Sequence, residues 1–148
     1  MNTMRLFAVL LMSLVLAACA PFKMLEGPSD PVAGKLRLDG VYQGPQESSR
    51  GYTYWPYFRF FADGSLKNST NIGGPQGVFK LLGSDASTIA SGKVTIRGNR
   101  ISFSSTGDGV TVDYLGTITA DSLTLDTYSH SNGNRAQSRV YKFIPVAP

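Results

Sequence analysis

The chain is poor in the side chains that most often carry chemistry. Its 148 residues include one cysteine and one histidine. A single cysteine rules out an internal disulfide. A chain of this length buries roughly two-thirds of its unfolded surface and needs neither a disulfide nor a metal to be stable. His130 has no second imidazole beside it, which argues against a His/Cys metal site or a Cys-His dyad. No Gly-x-Ser-x-Gly nucleophile turn is present. Charge is sparse as well: 14 Lys and Arg stand against 10 Asp and Glu. The basic residues, among them Lys67, Lys80, Lys93, Arg97 and Arg100, are scattered singly, so nucleic acid is not an expected partner. No apolar run reaches the ~20 residues of a membrane-spanning helix.

What is present begins with an apolar run from Leu6 to Leu16, preceded by Arg5 and followed by the small residues Ala17 and Ala18. This is the build of a secretory signal. The segment Leu16-Ala17-Ala18-Cys19 resembles the lipobox of bacterial lipoproteins. That resemblance implies a signal peptide over 1–18, diacylglycerol on the Cys19 thiol, cleavage before Cys19 and acylation of the new amino terminus. Several acyl chains hold a protein on a membrane where one holds it marginally. With Ala20 rather than aspartate after the cysteine, the resemblance implies an outer-membrane address facing the periplasm, for a Gram-negative source. Loss of Arg5 leaves 13 basic against 10 acidic residues, a balance of +3. From 19 to 37 the chain carries Pro21, Gly27, Pro28, Pro31 and Gly34 with little periodicity and reads as a flexible tether.

The remainder, 38–148, reads as one all-β domain: short strands separated by Gly, Asp and Asn turns. Around Ala62-Asp63-Gly64 a three-residue loop sets Phe60 opposite Leu66. That places Phe58, Phe60, Leu66, Asn68 and Thr70 inward and turns Arg59, Phe61 and Lys67 outward. Around Gly98-Asn99 a two-residue loop pairs Ile96 with Ile101 and Val94 with Phe103 inside, leaving Lys93, Thr95, Arg97 and Ser102 toward water. Between these hairpins Pro75 to Leu82 reads as a short helix covering one end. Three further strands point Val112, Tyr114 and Gly116, then Leu123 and Leu125, then Arg139, Tyr141 and Phe143 inward. The total is about eight antiparallel strands, the number that closes an up-and-down barrel, with the helix between strands three and four.

Gly40-Val41-Tyr42 stands where lipocalins carry Gly-x-Trp, and Arg139 stands where they place an arginine packed over that aromatic. The pattern resembles a lipocalin-like, or calycin-type, barrel. Phe58 to Gly64, the helix, Gly92 to Phe103, Tyr114 to Ile118 and Arg139 to Phe143 extend the likeness to small bacterial secreted domains of this type. Those families share a fold and no reaction.

Ser129 or Ser131 beside His130 can be drawn as a nucleophile pair, but neighbours in a turn seldom face each other. Asp108 with Asp113, or Asp121 with Asp126, can be drawn as a carboxylate pair, although turn and solvated strand positions account for all four. The expectation is therefore no catalytic residue, no metal, no cofactor and no enzyme. The aromatic group Tyr52, Tyr54, Trp55, Tyr57 and Phe58 is the densest in the chain, and Trp55 and Tyr57, on its opposite face or at the barrel mouth, suit a platform for a sugar ring, an acyl chain or a partner protein. Inward Tyr42, Asn68, Tyr114 and Arg139 suit polar handles in a cavity, with Arg139 equally suited to closing the floor over Tyr42. These expectations describe a lipid-anchored envelope protein whose barrel binds a small amphipathic or hydrophobic ligand. The alternative is an interaction or assembly module with a packed interior and an envelope protein as partner.

Overall fold

A computed structural model describes residues 21–147. The proposed signal peptide and Cys19 lie outside the described residues. Nine strands and one helix follow in order: β1 (Gly40–Gln43), β2 (Glu47–Ser49), β3 (Tyr52–Phe60), β4 (Ser65–Asn71), α1 (Pro75–Leu82), β5 (Ala90–Arg97), β6 (Arg100–Gly107), β7 (Val110–Ile118), β8 (Ser122–Ser129) and β9 (Arg135–Pro145). Consecutive strands from β3 to β9 pair antiparallel, and β1 pairs with both β9 and β3. An eight-stranded antiparallel barrel is thereby closed, with β2 as a short addition on β3. The helix sits between the third and fourth barrel strands, as expected.

Turn chemistry sets the register. Gly64 adopts φ 83°, and the Phe61 and Ser65 backbones close a three-residue loop at 2.9 Å, so Phe60 faces Leu66 and Phe58 faces Asn68. Gly98 at φ 64° makes the second hairpin tight and pairs Ile96 with Ile101 and Val94 with Phe103. Alternation then sends a set of rings inward. Phe58 lies edge-on to Phe103 and Tyr114, and Tyr42 edge-on to Phe60 and Phe143. Leu66, Ile96, Ile101, Leu123 and Leu125 fill between them and are wholly buried. Each such side chain contributes about 1.5–3 kcal/mol on burial.

Three sequence expectations change. First, α1 covers no end of the barrel; it lies on the outer wall, where Val78 and Leu82 join Val41 and Tyr57 in a second apolar cluster, flanked by Trp55, Phe79 and Ile144. Arg59, outward on β3, donates to the Phe79 carbonyl at 2.7 Å and lies 3.5 Å over the Phe79 ring, serving the carbonyl end of the helix. Second, the described part of the supposed tether is packed on the barrel. The Leu25 N–H donates to the Ser102 hydroxyl at 3.0 Å, which buries Ser102 where water was expected. The Asp30 N–H reaches the Ile96 carbonyl, and Val32 and Leu36 enter the core. Third, the arginine stacked beside Tyr42 is Arg37, 4.1 Å over Phe143, with its backbone N–H on the Tyr42 hydroxyl.

Residues 21–37 thus form a strap. It runs down the outside of β6 and β7 and plugs the end of the barrel where β1 begins.

Candidate functional site

At the opposite end, where β1 finishes, none of the described residues plugs the barrel. There β1 leaves β9 at the Gln43–Lys142 pair, and β2 continues along β3 alone, so the barrel wall is split between β2 and β9. Arg139 on β9 bridges the split by an ion pair to Glu47 on β2. Inside the rim lies a cup of about 340 Å³. Tyr114 and Tyr141 form its floor; Pro56, Thr70, Val112, Thr127 and Ser129 form its wall; Asn132, Asn134 and Arg139 stand at its edge. Outer-surface hollows of about 510 and 520 Å³ are larger. The cup is nonetheless the better candidate, because inward-pointing hydroxyls and a guanidinium converge there.

The electrostatics follow from burial. Burial is the largest influence on Arg139 and works against the cation, but the hydrogen bond it donates to Glu47, together with its charge interactions with Tyr141, Glu47 and Tyr114, holds the guanidinium above its ordinary value. Burial pushes the Tyr141 hydroxyl up to about 12 and pushes Tyr114 up as well, with Tyr141 adding to the latter. Both rings therefore present neutral O–H groups at physiological pH. A fixed cation, a carboxylate and two neutral hydroxyls can orient a polar ligand.

Of the residues singled out from sequence, the structure brings Tyr114 and Arg139 together at the cup. Tyr42 is buried at the plugged end, so Arg139 does not close a floor over it. Asn68 is inside the wall, midway along, accepting from the Ser105 hydroxyl. Trp55 and Tyr57 are not an open platform: both pack under α1, and the Tyr57 hydroxyl accepts from Gln43 at 2.7 Å and donates to the Gly73 carbonyl at 3.1 Å. Glu47 carries no signal in the sequence, because it falls in a stretch that reads as loop. The sequence pattern turns Tyr141 inward, but its place in the cup floor depends on the wall splitting above it.

His130 has a partner, though not a serine. Its Nε2 lies 2.7 Å from Asp113, and the Ser104 hydroxyl donates to the other oxygen of the same carboxylate at 2.5 Å. Serine and histidine meet the aspartate rather than each other, so no nucleophile–base pair is formed. Ser129 and Ser131 bond to one another at 3.0 Å. Among the described residues no three His, Cys, Asp or Glu side chains gather as a metal site.

No family model matches the chain, and neither a curated protein nor a solved structure matches it.

Proposed function

We propose that this is an envelope lipoprotein, held on the outer membrane through acylated Cys19, whose barrel mouth binds the polar part of a small amphipathic molecule such as a sugar-bearing headgroup or glycan fragment. The observation that carries the reading is the cup itself: about 340 Å³ with the Tyr114 and Tyr141 hydroxyls, Thr70 and the Glu47–Arg139 pair around one space. Ring faces and hydroxyls suit a sugar, and the aromatic filling below leaves little depth for a long acyl chain. That same filling favours a second reading, an envelope interaction module whose barrel is a rigid scaffold.

Native mass spectrometry of the acylated protein from its own host tests the ligand reading. The expected result is a co-purifying small molecule that is lost in Arg139→Gln. Repeated absence of any such molecule, together with no chemical-shift change at the cup on titration with envelope glycan fragments, would leave the scaffold reading in its place. For the anchor, Cys19→Ala is expected to release the protein from membranes and to abolish incorporation of labelled fatty acid.

A further inference from the structure

The strap reverses the direction in which the barrel would otherwise hang from its anchor. β1 begins at the plugged end, so a loose tether would leave that end nearest the membrane. Instead, followed backward from β1, the strap climbs the wall. Asp30 bonds at the Gly98 turn, Leu25 at Ser102, and Phe22 stacks at 6.2 Å on Tyr128, one residue from the cup-lining Ser129. Pro21 and Phe22 lie against Thr127, Arg135 and Ala136, which also border the cup. Cys19 is two residues beyond Pro21, a reach of about 7 Å at most.

The surface at that end differs from the surface at the other. Of the large apolar side chains that the described residues leave exposed, Tyr52, Ile72 and Val110 stand at the mouth end, at the start of β3, the end of β4 and the start of β7, while Val140 lies on the outer wall. Exposed Lys23, Arg50 and Arg135 accompany them, against Asp108. The plugged end carries Asp30, Asp39, Asp63 and Asp121 among Lys35, Arg37, Lys93, Arg97 and Arg100, with polar turns between them and none of those large exposed apolar side chains. Apolar tips interspersed with basic side chains suit the boundary between lipid headgroups and water, and the strap delivers the anchor beside them.

We infer that the mouth end rests on the membrane that holds the anchor, with Tyr52, Ile72 and Val110 in its headgroup layer and anionic lipid as the partner surface. The inference builds on the Cys19 anchor proposed above. It adds that the cup opens toward the lipid, so its ligand comes from the headgroup layer rather than from free solution.

The test uses the full acylated protein in vesicles containing anionic phospholipid. A nitroxide is attached in turn at Ser48→Cys or Asn132→Cys on the mouth end and at Ala62→Cys or Asn99→Cys on the plugged end. The Cys19 sulfur, held in a thioether, does not compete for the label. On vesicle binding, the mouth-end labels are expected to lose several-fold in collision rate with a water-soluble paramagnetic reagent, and the plugged-end labels to be unchanged. Intact mass first establishes the acyl chains. If they are present and both ends stay equally open, or the plugged end is the one shielded, the orientation is overturned and the anchor stands. If they are absent, both fall. Tyr52→Ser with Ile72→Ser sharpens the result: the shielding at Asn132→Cys is expected to weaken while acylation is unchanged, and full shielding in that variant overturns the role given to the apolar tips.

Discussion

At the plugged end of the barrel the chain closes itself with apolar side chains from the strap; at the mouth, two strands part and an ion pair spans the gap. Val32 and Leu36 are buried against the rings of Tyr42 and Phe143, and a bond from the Arg37 backbone pins the Tyr42 hydroxyl. At the mouth, Glu47 and Arg139 hold β2 to β9 where backbone pairing has stopped. One end is sealed by burial and the other is bridged by charge. Burial gives the first end its stability, and the second keeps an open cup.

The largest expected effect breaks the sealed end. Leu36→Ala leaves a cavity against the core, and a fall of about 3–4 kcal/mol is expected in urea unfolding. Thr70→Ala, its counterpart in the mouth wall, is expected to cost under about 0.5 kcal/mol, since surface substitutions away from special features do little. Equal losses at the two positions would remove the contrast.

The next effect belongs to the cup floor and appears only in alkali. Tyr141 titrates at about 12 when folded, against about 10 in an unfolded chain. Between those values the unfolded chain loses a proton that the folded protein keeps, so stability falls as pH rises. The contribution is complete below about pH 10 and is lost by about pH 12, a fall of roughly 2.5 kcal/mol. Tyr141→Phe is expected to make that part of the curve shallower, the remaining slope belonging to Tyr114, as urea midpoints measured across the interval will show. An unchanged slope would mean that the floor of the cup is wet.

Smaller again is the bridge. Glu47→Gln leaves the guanidinium with a neutral acceptor, and about 1 kcal/mol is expected after allowance for solvent, because both side chains are partly exposed. The more telling readout is local: amide exchange in β2 should quicken while that in β6 and β7 stays slow. Uniform quickening would mean that the bridge supports the whole barrel rather than one seam.

These regions also differed in how far the sequence foretold them. The barrel was legible because period-two alternation and the glycine turns at Gly64 and Gly98 constrain one another: shift either by a residue and Phe60 or Ile96 faces water. The strap was not, because its few apolar residues, Val32 and Leu36 among them, follow no period and lie among prolines and glycines that suit a tether equally well. Alternation along β3 turns Trp55 and Tyr57 to the face away from the core. What covers that face, however, is a helix from a later segment, and no local pattern reports on that. The cup depends on where β1 stops pairing with β9, a tertiary event. Arg139 and Tyr114 could therefore be seen to point inward, while their meeting with Glu47 could not be seen.

The smallest expected effect lies on the outer wall near the mouth, where Asp113 holds His130 and Ser104 at once. The trio has the composition of a hydrolytic triad but the wrong connectivity, since a base must touch the nucleophile it activates and here the carboxylate separates them. Read as surface structure, the group ties the β8–β9 turn to β7, and the His130 side chain is half exposed. An exposed pair of this kind contributes little, so His130→Asn should change stability by no more than about 0.5 kcal/mol. Because His130 bonds on the outside of the wall, cup ligand binding should be unchanged as well. A large loss of either would show that the turn controls the mouth, and the division between a sealed end and an independently bridged one would have to be redrawn around Asp113.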